Sequence, residues 1–146
     1  MADDSRVVLE GGDGPGKGKH IVLIAGDDEY RSEELIPQLA KILAVRQGFK
    51  CTVLFATNKD TGEIDPATQD NIPGLEALDT ADHLVMFLRF RDLPDDQMKR
   101  VLDYANSGRP LMSLRTNTHA FNIPPGKTYS KWSWKAEGEI KGGFGR

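Results

Sequence analysis

Residues 20–31 read His20-Ile21-Val22-Leu23-Ile24-Ala25-Gly26-Asp27-Asp28-Glu29-Tyr30-Arg31, an apolar run that ends in a cluster of charged residues. An unbroken apolar run of this length is typical of a strand buried on both faces, as in the parallel sheets of α/β proteins. In such sheets, ligands bind in the crevice beyond the carboxyl ends of the strands. This stretch therefore predicts the fold class and also where a polar site would lie.

The rest of the chain repeats the order of strand and then helix. Apolar residues from Leu35 to Leu43 have helical spacing, and Gly48 follows where a left-handed helix cap is expected. Three further strands and a second helix are predicted at residues 51–56, 83–88, 110–114 and about 94–107. Because alternating elements favour parallel strands with right-handed crossovers, we expect a flavodoxin-like three-layer α/β sandwich with a parallel sheet in the order 2-1-3-4.

The domain boundary is predicted from composition. Residues 1–18 are rich in glycine and are expected to form a flexible N-terminal arm. Residues 19–146 have a length that suits one α/β domain.

Composition narrows the classes of function. The net charge of −3 argues against a nucleic-acid partner, and no apolar stretch is long enough for a membrane span. Cys51 is the sole cysteine, which excludes an internal disulfide. No secretory signal follows Met1, so we expect a soluble cytoplasmic protein, or an exported one if a longer precursor exists. A small molecule is the favoured partner.

Four segments together resemble the trehalose-utilisation (ThuA-like) family, especially its bacterial members from sugar-degrading gene sets. They are residues 19–34 (KHIVLIAGDDEYRSEE), 71–78 (NIPGLEAL), 89–94 (RFRDLP) and 114–121 (LRTNTHAF). The resemblance implies a domain of the class I glutamine-amidotransferase-like superfamily with a role in trehalose, disaccharide or keto-sugar utilisation. Members of the family usually continue further, so the domain is expected to be incomplete at its C-terminus.

The turn after the fourth strand stands where this superfamily keeps its nucleophile elbow. Arg115 occupies that position, and a guanidinium cannot act as a nucleophile. Cys51 lies early on the second strand, so a Cys-dependent glutamine amidotransferase is not expected. Arg115 can instead bind an anion or a polarised carbonyl through its planar fork.

His119 and the acids Asp28 and Glu29 are the candidate catalytic residues. Imidazole titrates near neutrality, so His119 could shuttle protons or bind a metal, or it could be a structural histidine in a loop. Asp27, Asp28 and Glu29 could hold a divalent cation or supply a general base, or they could cap the following helix and pair with Arg31. No motif identifies a cofactor.

Polar residues at the predicted strand ends are the candidate substrate-binding groups, and they comprise Asp27, Tyr30, Arg31, Arg89, Arg91, Arg115, Thr116, Asn117 and Thr118. If the protein is an enzyme, we expect a carbohydrate-active hydrolase or isomerase. The alternative is a non-catalytic carbohydrate-binding or partner-docking module, or an inactive fragment. Trp132 and Trp134 lie in a polar tail, where large aromatic side chains need a surface to cover or a second copy of the chain to meet.

Overall fold

A computed structural model of the protein describes residues 5–136. The strands and α-helices follow in the order β1 (Arg6–Leu9), β2 (His20–Gly26), α1 (Ser32–Gln47), β3 (Lys50–Phe55), β4 (His83–Leu88), α2 (Asp95–Asn106) and β5 (Leu111–Ser113). Short 3₁₀ helices are formed by Leu75–Thr80, Arg115–His119 and Ser130–Trp132. The protein has an α/β fold, as the alternation of elements predicted.

The five strands form one mixed sheet in the order β1-β3-β2-β4-β5. The four strands predicted from apolar runs, β2 to β5, pair in parallel. β1 pairs antiparallel with β3, from Arg6 opposite Leu54 to Leu9 opposite Cys51. The expectation of a flavodoxin-like sheet that is parallel throughout is therefore corrected. The physical reason is that the outer edge of β3 carries backbone N–H and C=O groups, which β1 satisfies.

The glycine-rich segment after β1 lies against the end of α1. The amides of Gly12 and Gly16 donate to the carbonyls of Gly48 and Gln47, at 3.3 and 2.7 Å. A Cβ on Gly11 would lie 2.4 Å from the carbonyl oxygen of Phe49, so only glycine allows this approach. The described residues of the predicted arm thus pair with β3 and pack against the end of α1. Residues 1–4 and the predicted domain end at residue 146 lie outside the described residues.

Two helical layers cover the sheet. Alternate residues of the central strands point to opposite faces, so one face packs against α1 and the other against α2 and the 3₁₀ helix Leu75–Thr80. The predicted Gly48 cap is confirmed, with φ 81° and its amide bonded to the carbonyl of Ala44. Tyr129 and Trp132 pack against the core on the α2 side, so this part of the tail covers the domain.

Ser32 fixes the loop that leads into α1. Its hydroxyl accepts from the amide of Asp27 and donates to the carbonyl of the same residue, both at 2.9 Å. The residue before the helix is Arg31, which adopts a left-handed conformation at φ 52°. Ser32 therefore shapes the turn after β2 instead of capping the helix.

Candidate functional site

The carboxyl ends of β2, β4 and β5 meet at one edge of the sheet, because these three strands are adjacent and parallel. We call this the carboxyl edge, formed by residues 27–31, 89–92 and 115–119. Three non-glycine residues of the described chain have positive φ, and one follows each of these strands: Arg31 (52°), Phe90 (55°) and Arg115 (30°). Such conformations cost about 1–3 kcal/mol each and cluster at functional sites. The backbone geometry therefore marks this edge as the candidate site.

Asp27 lies at the base of the edge and is fully buried. Its Oδ1 accepts hydrogen bonds from the amides of Glu29 and Tyr30, both at 2.8 Å. Its Oδ2 accepts a short hydrogen bond from the hydroxyl of Thr116. The carboxylate thus ties the turn after β2 to the turn after β5. The oxygens of Asp27, which is a predicted substrate or metal ligand, therefore already accept hydrogen bonds from the protein.

Thr116 and Asn117 are also buried and hold the turn after β5 in place. The side-chain oxygen of Asn117 accepts from the amide of Leu88 at 2.8 Å, and its Nδ2 donates to Ser113 at 3.0 Å. The bond to Leu88 continues the pairing of β4 and β5 beyond the last ladder residues. Both residues are predicted substrate-binding groups, and in the fold their side chains are buried and bonded within the protein.

Arg91 was expected in the crevice, but its side chain is fully buried. Its Nε donates to the carbonyl of Arg89 at 2.6 Å, and its Nη1 donates to the carbonyls of Pro66 and Thr68 at 3.0 and 2.7 Å. Burial lowers the pKa of Arg91, while the nearby carboxylates of Asp28 and Asp27 oppose that shift. Arg91 thus holds the loop that follows β3 against the carboxyl edge, through the carbonyls of Pro66 and Thr68.

Arg89 neutralises two of the candidate acids. Its Nη1 lies 3.3 Å from Oδ1 of Asp28, and its Nη2 lies 3.2 Å from Oε2 of Glu29. The carboxyl side chains remain 33% and 47% exposed, so solvent and a small ligand can reach them. Opposite charges from the turns after β2 and β4 therefore meet at this edge.

His119 belongs to an aromatic cluster, which comprises Phe90, His119 and Trp134. The ring centroids lie 5.0 Å apart between Phe90 and His119 and 5.6 Å apart between Phe90 and Trp134. Nδ1 of His119 shares a hydrogen bond of 3.0 Å with the hydroxyl of Thr118, whose side chain is exposed. Within residues 5–136, His119 makes no hydrogen bond or ion pair to Asp28 or Glu29, although all three residues lie at the same edge.

Sequence reasoning did not place Phe90 and Trp134 in the site. Trp134 is 37% exposed, and its indole N–H donates to Asn122 at 3.3 Å. Asn122 and Lys135, which both contact Trp134, also line a cavity of about 680 Å³. Two sequence features could have indicated these residues: Phe90 stands between two arginines, and Trp134 lies in a polar tail.

Tyr30 and Arg115 form a stacked pair at the β5 side of the edge. The Tyr30 ring stacks on buried Phe87 at 6.4 Å, and the guanidinium carbon of Arg115 lies 4.5 Å above the Tyr30 ring. Nη2 of Arg115 also donates to the Tyr30 hydroxyl at 3.0 Å. Arg31 is exposed and pairs instead with Glu34 on α1.

Cys51 is fully buried in β3, and burial raises the pKa of its thiol to about 11. A protonated, inaccessible thiol cannot serve as a nucleophile.

No group of three or more His, Cys, Asp and Glu side chains within residues 5–136 is arranged to hold a metal ion. Over the same part of the chain, no helix is both long and apolar enough to cross a membrane. Comparison of the chain with family models, with curated proteins and with solved structures found no match.

Proposed function

We propose that this chain is a ThuA-like domain that acts on a sugar, a disaccharide or a keto-sugar, bound at the carboxyl edge. The observation that carries the proposal is the strained backbone at Arg31, Phe90 and Arg115, which lie in the turns that follow three adjacent strands. Strain at three neighbouring strand ends needs a reason, and the positioning of side chains for a ligand supplies one. In this proposal the four parallel strands are the flavodoxin-like part of the mixed sheet, and β1 is an addition to it.

His119 is the proposed proton donor and acceptor. Its Nε2 has no hydrogen-bond partner within residues 5–136, while Thr118 engages Nδ1 and the aromatic cluster fixes the ring. Asp28 or Glu29 is the proposed partner base, held by Arg89. A divalent cation bound by these two acids would have to displace Arg89, so the proposal assigns no metal.

The test of catalysis compares His119→Ala with His83→Ala across a panel of disaccharides and keto-sugars. His83 begins β4 at the opposite edge of the sheet and serves as a matched control. Loss of a general acid or base lowers turnover by about 10²–10⁴-fold, so we expect that loss in His119→Ala only. Unchanged turnover in His119→Ala would exclude His119 as a catalytic residue.

A second candidate is a carbohydrate-binding module without catalysis. It is favoured by the pairing of both Asp28 and Glu29 with Arg89, since this contact occupies carboxylate oxygens that a general base would need. Calorimetric titration with the same sugars, combined with product analysis, separates the two candidates. Binding without product in the wild-type chain favours the module, whereas product formation favours the enzyme.

A further inference from the structure

Arg115 differs from the other arginines of the carboxyl edge in the groups that bond to its guanidinium. Arg31 pairs with a carboxylate of α1, and Arg89 pairs with two carboxylates. Arg91 donates to three backbone carbonyls. Within residues 5–136, Arg115 makes no ion pair, and its side-chain hydrogen bond goes to the neutral hydroxyl of Tyr30. Its positive charge is therefore left for a group outside the described chain.

The guanidinium of Arg115 is held in position before any ligand arrives. Buried Phe87 supports the Tyr30 ring, and that ring in turn supports the guanidinium. The Tyr30 hydroxyl accepts from one Nη of the five-donor fork, so the remaining N–H groups stay available. Pre-organisation of this kind lowers the entropy that a binding partner must lose.

The backbone of Arg115 is strained at φ 30°, in a conformation that L-residues avoid. A solvated surface arginine gains nothing from such strain. An arginine that binds a ligand does gain from the strain, because the turn after β5 places the Arg115 guanidinium over the Tyr30 ring, which follows β2.

We propose that Arg115, positioned by Tyr30, binds an anionic group of the ligand, so that the carboxyl edge selects an acidic sugar. The guanidinium fork matches the paired oxygens of a carboxylate or a phosphate. This inference rests on the proposed function for the sugar itself and adds the charge of the substrate class. Arg115 acts here as a binding residue that determines specificity.

Calorimetric titration tests the inference with glucuronate, gluconate and glucose 6-phosphate beside the neutral sugars glucose and trehalose. We expect the wild-type chain to bind at least one acidic sugar about tenfold more tightly than either neutral sugar, and the preferred acid identifies carboxylate or phosphate. Arg115→Gln should reduce that preference to about twofold or less. Tyr30→Phe, which keeps the ring but lacks the hydroxyl, should weaken acidic-sugar binding by roughly three- to tenfold.

Lys41→Gln on α1 is the matched control, because it removes an exposed positive charge elsewhere and should leave the preference unchanged. Neutral sugars that bind as tightly as every acidic one would overturn the inference and leave the proposed function intact. Acidic-sugar binding that survives Arg115→Gln would also overturn it. If none of the five sugars binds, the inference fails, and turnover on the panel of disaccharides and keto-sugars then decides the proposed function separately.

Discussion

Asp27→Ala tests whether one buried carboxylate holds the carboxyl edge together. The substitution removes an acceptor that serves the amides of Glu29 and Tyr30 and the hydroxyl of Thr116. Hydrogen bonds to a charged group contribute about 1.5–3 kcal/mol each, so simple addition gives an upper limit of about 4.5–9 kcal/mol. The net cost is smaller, because the variant no longer desolvates a carboxylate and Thr116 can donate to the carbonyl of Leu88, 3.1 Å away. We expect a loss of about 3 kcal/mol in the free energy of unfolding.

Two further variants separate the charge from the hydrogen bonds. Asp27→Asn retains one carbonyl oxygen for the two amides and should cost only about 1 kcal/mol. Thr116→Val removes the hydroxyl that links β2 to β5 and should cost about 1–2 kcal/mol. Combined in a double-mutant cycle with Asp27→Ala, it should show a coupling energy of about 1–2 kcal/mol.

Urea unfolding followed by tryptophan fluorescence measures each free energy. Thr118→Val is the control, because its hydroxyl is exposed in the same turn and its loss should cost less than about 0.5 kcal/mol. A loss in Asp27→Ala no larger than in this control would show that the carboxylate does not hold the edge together. The same conclusion follows if the losses from Asp27→Ala and Thr116→Val simply add.

Further predictions concern the segment after β1, a strand-start histidine and the buried thiol. Gly11 and Gly62 share φ 74°, but a Cβ meets the Phe49 carbonyl at 2.4 Å only at Gly11. Urea unfolding should therefore show a loss of about 1 kcal/mol for Gly62→Ala and at least about 2 kcal/mol for Gly11→Ala, and equal losses would contradict the packing of this segment. Burial, assisted by Lys50, lowers the pKa of His20 below 6.5, so its neutral form stabilises the fold above pH 6.5 and that contribution is lost as the pH falls. The Tm should fall more between about pH 7.5 and pH 5.5 in the wild type than in His20→Gln, and parallel falls would argue against this origin. Cys51 should resist Ellman's reagent in the native protein and react fully in urea, whereas rapid native labelling would show that the thiol is accessible.

Local patterns in the sequence were enough to predict the α/β class. The apolar runs at residues 20–25 and 83–88 predicted two strands, and Gly48 predicted the end of α1. All three elements formed there, because these signals depend on residues close together in the chain. The position of a polar edge also followed, since it needs only the direction of adjacent parallel strands.

The pairing of β1 was not predictable in the same way. Four residues beside a glycine-rich segment carry little local signal, and their partner strand begins only at residue 50. The free edge of β3 decides that pairing, and such an edge exists only once the sheet has formed.

The sequence by itself determined which polar residues reach the carboxyl edge, because strand direction and chain order bring Asp27, Arg91 and Thr116 there together with Arg89, Arg115 and His119. Only the tertiary structure decided which of them face solvent. Asp27 and Thr116 bond to each other across 89 positions of the chain, and Arg91 is buried against a loop 23 to 25 residues earlier. A carboxylate or guanidinium has the same chemistry in either setting. Its role depends on whether its polar atoms bond to distant backbone groups or to solvent. Only the packed fold determines that choice.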